Sequence, residues 1–318
     1  LDLVLRNCDF FFFFYINMTS EEITHDSLNI LDPIRYDNSI QSWQLSSFTP
    51  QNQANINTQS SPIQIDINAG DSYINISKSF LVIKGDLVRS DNNNPYAAND
   101  EIALVNNAIM YLFTEITLTV SGEIVERISS PGQITSILAY LSLPDDYSTS
   151  SGLKSCWSKD STNHASSAKF TASVAAPAAG YIPTENPNYN QGFAARKGLL
   201  MSATPRGSFS FVIPFDHIFG FAEYNKVIWN VKHSLSLTRN SSDNQAIYHA
   251  NGVTDGKINL TEITWKVPYI KPETIKLVKL RDIIESKQSI PVAFPARTSD
   301  VISVPQTQNF IWRVNVTS

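Results

Sequence analysis

The chain has 318 residues, of which 42% are hydrophobic and only 17% charged, with a formal net charge of −5 and a sequence pI near 5.6. That length gives one large domain or two ordinary ones, and a charged fraction below the usual quarter suits a surface covered largely by copies of itself. The 24 Lys and Arg form no run of five or more, which excludes a basic nucleic-acid arm and an anionic-membrane patch.

Residues 1–17 run through Leu3-Val4-Leu5 to five phenylalanines, Tyr15 and Ile16. The stretch lacks a basic n-region and a small-residue cleavage site, and it is too short to span a bilayer. The reading adopted is a non-native leader, with translation beginning at Met18. Residues 18–55 are expected to form an N-terminal arm. From there the dominant period is two, as expected for strands with one buried face. Ile63, Ile65 and Ile67 share a face, with Gln64 and Asp66 opposite. The more continuous apolar run 80–88 predicts a strand covered on both sides. Residues 103–113 have local helical spacing. Ile116, Leu118 and Val120 alternate with Thr117 and Thr119, and Ser121-Gly122 turns the chain into 123–125.

Residues 133–141 again have helical spacing. The stretch 144–192, rich in Ser, Ala, Asn and Pro, predicts a long functional loop. Phe209, Phe211 and Ile213 alternate next. The longest alternation, 227–238, puts Val227, Trp229, Val231, His233, Leu235 and Leu237 on one face of a single strand. Ile263, Trp265, Val267 and Tyr269 follow, then Phe310, Trp312, Val314 and Val316. Alternation continues to the last residues, so the sequence reads as a fragment whose remaining domain is missing. The expected fold is all-β: a jelly-roll sandwich or barrel.

No catalytic, cofactor-binding or metal-binding residues are predicted. His25, His164, His217, His233 and His249 show no pair at metal spacing. His233, on the apolar phase of a strand, reads as a core histidine with a hydrogen-bonded ring. Asp216-His217 would suit acid–base work, but a loop cap is the plainer reading. Asp145-Asp146 and Glu21-Glu22 read as solvated loop charges. No nucleophile elbow or phosphate cradle appears. Trp229, Trp265 and Trp312 read as core anchors, since no basic groove interleaves with them. Cys8 and Cys156 make no disulfide framework, which points to a reducing compartment. Sequons at Asn17, Asn75, Asn240, Asn259 and Asn315 fall largely in predicted strands, against glycosylation.

Four ordered stretches carry a family likeness. The first holds Ser61 to Ile67, Asp71 to Ile74 and Phe80 to Gly85. The second holds Val105-Asn106-Asn107, Leu112-Phe113 and Ile116 to Gly122. The third runs from Arg206 to His217 and continues at Lys232 to Arg239. The fourth holds Ile258 to Trp265, Val267-Pro268-Tyr269, Ser289 to Val292 and Phe310 to Val314. Over roughly residues 30 to 318 the sequence resembles the major capsid proteins of Polinton/Maverick elements and adintoviruses. The resemblance implies two eight-stranded jelly rolls in one chain: the first over 56–275, its last strand ending near Lys271, and a second, truncated one in 285–318, beginning at Ile290. It further implies a homotrimeric, pseudo-hexameric capsomer of an icosahedral virion enclosing double-stranded DNA. Neighbouring capsomers and a penton or minor capsid protein would be the partners. Synthesis would occur in the host cytoplasm, with assembly there or in the nucleus. No cofactor, membrane span or sequence-specific nucleic-acid binding is implied. The competing readings are a β-sandwich module binding sugar or protein through 144–192, an enzyme on the same sandwich, and a host-retained copy that no longer assembles.

Overall fold

Eight long strands account for the architecture. They are β1 (Ile40–Phe48), β2 (Pro62–Asn68), β4 (Phe80–Arg89), β6 (Phe113–Val120), β7 (Glu123–Ser129), β10 (Ser208–Pro214), β12 (Lys232–Arg239) and β14 (Gly256–Pro272). The computed structural model describes residues 39–299 and 311, apart from 60, 71, 162–172, 175–183, 186–189, 251, 288 and 298. The leader, Cys8, His25, Glu21-Glu22, His164, Trp312, Asn17, Asn315 and the alternation at 310–316 lie outside the described residues.

Every pairing is antiparallel. Trp265 and Lys266 of β14 face both β4 and β1, so these two strands lie on opposite edges of β14. With β10 beyond β4, one sheet reads β1-β14-β4-β10, and the other reads β2-β12-β6-β7. In chain order these are the first, eighth, third and sixth long strands against the second, seventh, fourth and fifth. That interleaving is the jelly roll, and the fold is all-β with few helices. Short strands β3 (Tyr73–Ile74) and β11 (Ile228–Trp229) prolong the first sheet; β5 (Ile102–Leu104) pairs with β13 (Ile247–His249), and β8 (Ser173–Val174) with β9 (Thr184–Glu185).

The alternating side chains meet between the sheets. Ile63, Ile65 and Ile67 of β2, Leu235 and Leu237 of β12, and Ile116 and Leu118 of β6 face Leu81, Ile83, Ile263, Trp265 and Val267 within one buried cluster. Trp265 is fully buried, its ring stacked on Phe215 at 5.1 Å. Its indole N–H donates to Ser79 Oγ at 3.1 Å, which satisfies a polar group that burial would otherwise strand. The β6–β7 turn has Ser121 at φ 52° and Gly122 at φ 89°, the left-handed pair that two-residue hairpins require.

Several expectations need correction. The alternation 227–238 is two strands, because Asn230 at φ 50° takes the chain from β11 in one sheet to β12 in the other. Alternation continues across that residue, so its period conceals the switch. Trp229 is consequently half-buried, and no core anchor. Residues 103–113 contain β5, the single-turn helix α1 (Ala108–Tyr111) and the start of β6. Run 80–88 alternates: Leu81, Ile83 and Leu87 are buried while Lys84 is exposed. The helix expected at 133–141 is present as α2 (Pro131–Ser142), opened by Pro131 in its first turn. Two helices of 12 residues were not predicted, nor was the single helical turn that replaces the loop cap expected at Asp216-His217. One is α3 (Gln191–Ser202), whose Asn190 carboxamide accepts from Phe193 N at 3.2 Å. The other, following α4 (Phe215–Ile218), is α5 (Thr274–Glu285), whose Glu273 accepts from Ile275 N at 2.9 Å.

β1 reaches β14 only from Trp265 onward, leaving the same edge of β14 without a strand at Ile258 and Leu260. Side chains fill the gap. Asn57 Nδ2 donates to Leu260 O at 2.8 Å and its Oδ1 accepts from Leu260 N at 2.7 Å. Removing this mimic leaves two backbone groups of a buried residue without partners, at about 1–3 kcal/mol. Asn57→Ala is therefore expected to lower stability by that amount in urea denaturation followed by circular dichroism. An unchanged midpoint would show that water replaces the amide at no cost.

Candidate functional site

The ionisable groups singled out in the sequence do not converge. His233 is fully buried between Ile67 and Val120, its Nδ1 2.9 Å from Val231 O. Its Nε2 has no hydrogen-bond partner among the described residues. Burial pushes its pKa down, opposed by the bond to Val231, so the ring is neutral at physiological pH. His217 lies in α4 and meets Tyr147 edge-on at 5.8 Å. Burial lowers its pKa as well; Asp216 opposes this and Arg297 adds to it. His249 is 3.0 Å from Asp255 in a solvent-facing pair, and Asp145 holds Lys159 at 2.8 Å on the surface. No group of three or more His, Cys, Asp or Glu among the described residues is placed to hold a metal. Cys156 is buried, which raises its thiol to about 11, the behaviour of a small core residue. Of the sequons, Asn259 lies inside β14, while Asn75 and Asn240 donate to Asn225 Oδ1 and Tyr111 O.

Three buried charges that sequence reasoning passed over organise the ends of the barrel. Arg196 of α3 donates Nε to Leu104 O at 2.8 Å, Nη1 to Ser158 O and Nη2 to Asp160 Oδ1, and packs over the Phe193 ring at 4.6 Å. It thereby pins the root of the stretch expected as a long loop. Trp157 and Cys156 are buried in that root, and Ser158 N donates to Asn106 Oδ1 at 2.8 Å. Arg239 joins Leu112 O, Ile258 O and Asp243 Oδ1 at 2.8–3.1 Å. Glu126, 3% exposed, accepts backbone N–H bonds from Gly220, Phe221 and Arg297. The available signal for Glu126 was a carboxylate two residues before an inward Ile128. The bulge that turns Ile124 outward, while Glu126 stays in phase with Ile128, was invisible.

What the surface offers is apolar. Trp43 and Leu45 of β1 are exposed, as are Ile275 and Val278 of α5. The two elements share a groove lined by Ser42, Gln44, Tyr73, Tyr269, Leu277 and Arg281. On α2, Leu141 is 80% exposed beside exposed Ile137 and Tyr140. Exposed rows of large apolar side chains mark interaction surfaces. No helix among the described residues is long and apolar enough to cross a membrane.

A family profile described as a double jelly roll-like domain matches residues 183–318. No curated protein matches. Among solved structures, a chain of the Sputnik virophage determined by cryo-EM is similar at 13% identity and TM-score 0.49, covering 79% of this chain and 52% of that one. The Faustovirus major capsid protein gives 10% identity and TM-score 0.44, covering 80% and 58%. The mavirus major capsid protein gives 11% identity and TM-score 0.38, covering 79% and 50%. The chain thus spans about half the length of these structures. The jelly-roll assignment rests on the strand order itself.

The buried histidine sets a pH dependence. His233 is neutral in the fold, whereas the unfolded chain protonates it below its ordinary value of 6.5. Its stability contribution is complete above that value and declines as pH falls, by at most about 1.4 kcal/mol per pH unit. Denaturation between pH 7.5 and 5.5 is expected to show this slope, and His233→Leu to remove its share while His217 keeps its own. Identical slopes in the two proteins would exclude His233 as a source.

Proposed function

We propose that this chain is a structural capsid subunit whose jelly roll packs laterally against copies of itself to build a virion shell. The observation that carries the reading is a jelly roll with uncharged apolar rows exposed on β1 and α2. The family match supports it by running past the last barrel strand, from 183 through 318 with β14 ending at Pro272. The ordered sequence resemblance then supplies the finer reading. In that reading the subunit belongs to the Polinton/Maverick and adintovirus group and forms homotrimeric, pseudo-hexameric capsomers. These meet neighbouring capsomers and a penton or minor capsid protein around double-stranded DNA. The subunit is structural, with no catalysis, metal or cofactor in its role, and the sparsely charged surface agrees with lateral burial. Region 144–192, rooted by Arg196, would project outward, where a capsomer tolerates length and variation.

The physical requirement is area. A stable interface removes roughly 800 Å² from water on each partner, and a few large anchors near its centre supply most of the energy. Trp43 and Leu141 are such anchors.

Light scattering on the protein expressed from its full natural reading frame is expected to give a trimer or particles growing from trimers. Trp43→Asp and Leu141→Asp, both on exposed side chains, are expected to weaken assembly by roughly tenfold or more, since anchors of this kind carry about 2 kcal/mol, with circular dichroism unchanged. A well-folded monomer at micromolar concentration would overturn the proposal, in favour of a binding module or a capsid-derived protein that no longer assembles.

A further inference from the structure

The segment after α5 returns to the barrel. Residues 294–297 and 299 cross its β7 side, and every described contact there is specific. Glu126 Oε1 accepts from Arg297 N at 2.9 Å and from Gly220 N at 3.1 Å, and Oε2 accepts from Phe221 N at 3.1 Å. The Arg297 guanidinium donates to His217 O at 2.9 Å and Asp216 O at 3.0 Å. Ser299 Oγ donates to Ser129 O at 2.6 Å, and Phe294 meets Phe221 edge-on at 5.2 Å. Pro295 O lies so near Gly220 that a Cβ there would sit 1.7 Å from it. The backbones touch because residue 220 has no side chain.

We infer that residues 294–299 are a strap that closes on the completed barrel and that Glu126 is its latch. Glu126 belongs to β7, two of its donors to the turn after α4, and the third to the strap. Those donors lie 94, 95 and 171 residues from it in sequence. Long-range partners of this kind are assembled only by the folded barrel, so the strap docks after it. A buried carboxylate stripped of water needs several charge-assisted bonds to persist. The strap supplies one of the three amides. Barrel strands hold one another through continuous ladders, whereas the strap holds by a carboxylate, a guanidinium, one hydroxyl and one aromatic edge. It is therefore a separate unit of opening. While closed, it fixes the direction in which the chain leaves the barrel. The inference does not depend on the capsid reading.

Hydrogen exchange read by mass spectrometry on the full chain tests it. In the native protein, peptides spanning 293–299 and 218–223 are expected to be protected, though less than peptides of β12. In Glu126→Gln the carboxamide presents its own N–H₂ toward one amide donor. Loss of a charge-assisted bond then speeds exchange in both peptides by about 10- to 100-fold, with β12 unchanged. Arg297→Met keeps the backbone bond to Glu126 and removes only the guanidinium's bonds to His217 O and Asp216 O, so it is expected to speed 293–299 with 218–223 less affected and β12 unchanged. An unprotected strap in the native protein would overturn the inference. So would a strap and β12 that always open together, or variants that leave strap exchange unaltered.

Discussion

Backbone hydrogen bonding along β14 is the constraint on which the rest of the barrel depends. A strand of 17 residues presents N–H and C=O groups to both edges, and each one buried without a partner costs as much as a lost hydrogen bond. One edge is taken by β4 as far as Lys266 and by β3 at Tyr269 and Ile270. The other is taken by β1 from Trp265 to Pro272. Between Gly256 and Thr264 that second edge has no strand. There Asn57 pairs with Leu260, Asp243 Oδ2 accepts from Ile258 N at 2.8 Å, and Arg239 donates to Ile258 O at 3.1 Å. The strand is thus zipped by backbone where a neighbour reaches it and by side chains where none does. Arg239 comes from the end of β12 and Asn57 from the turn before β2. The repair of one sheet's edge is therefore made by residues anchored to the other sheet.

The same logic explains why this interior tolerates charge. Arg196, Arg239 and Glu126 are each nearly inaccessible, and each reaches backbone groups at the end of another element: Leu104 O, Leu112 O and Gly220 N. A guanidinium presents five donors in a fixed fork, which lets one side chain close several carbonyls at a corner. A carboxylate does the converse for amides. The apolar cluster supplies the driving force along the strands, and these three groups seal its ends. Replacing any one by an apolar residue of equal volume would leave several backbone groups bare at once.

Much of this was legible. Strict alternation at Ile63-Ile65-Ile67, Phe209-Phe211-Ile213 and Ile263-Trp265-Val267 located strands and their buried faces, because period two is imposed by the pleat itself. The all-β class followed from the number of such runs. What escaped has physical reasons. Asn230 turns the chain between sheets without breaking the parity of its neighbours. The β7 bulge turns Ile124 to the face opposite Glu126 and Ile128, a change that depends on pairing with β6 and not on local sequence. Helix α3 carries Arg and Lys among small residues, and its inward face is defined by an arginine, so no apolar stripe announced it. Helix α5 buries none of its residues fully; Leu277, Leu280 and Ile284, at i, i+3 and i+7, form a short half-buried stripe that was passed over. Trp43, exposed on β1, was uninformative in sequence because that strand is exposed over most of its length.

That exposure is itself an argument about state. An edge strand offers unpaired backbone groups, and soluble monomers guard such edges with lysine, proline or inward charges. β1 reads Ile-Gln-Ser-Trp-Gln-Leu-Ser-Ser-Phe, without a charge or a proline, and it shows Trp43 53% exposed with Leu45 beside it. Helix α2 likewise carries no charged residue and exposes Leu141 almost fully. The chain does spend charges elsewhere: Lys84–Glu262, Arg127–Glu115 and Lys232–Asp66 each join neighbouring strands across the outward face of a sheet. Charge is thus placed on the broad faces and withheld from an edge and an end helix. A monomer under pressure to stay soluble would distribute it the other way. The pattern makes sense when the edge and the helix are the parts that other protein covers and the sheet faces are the parts that water keeps.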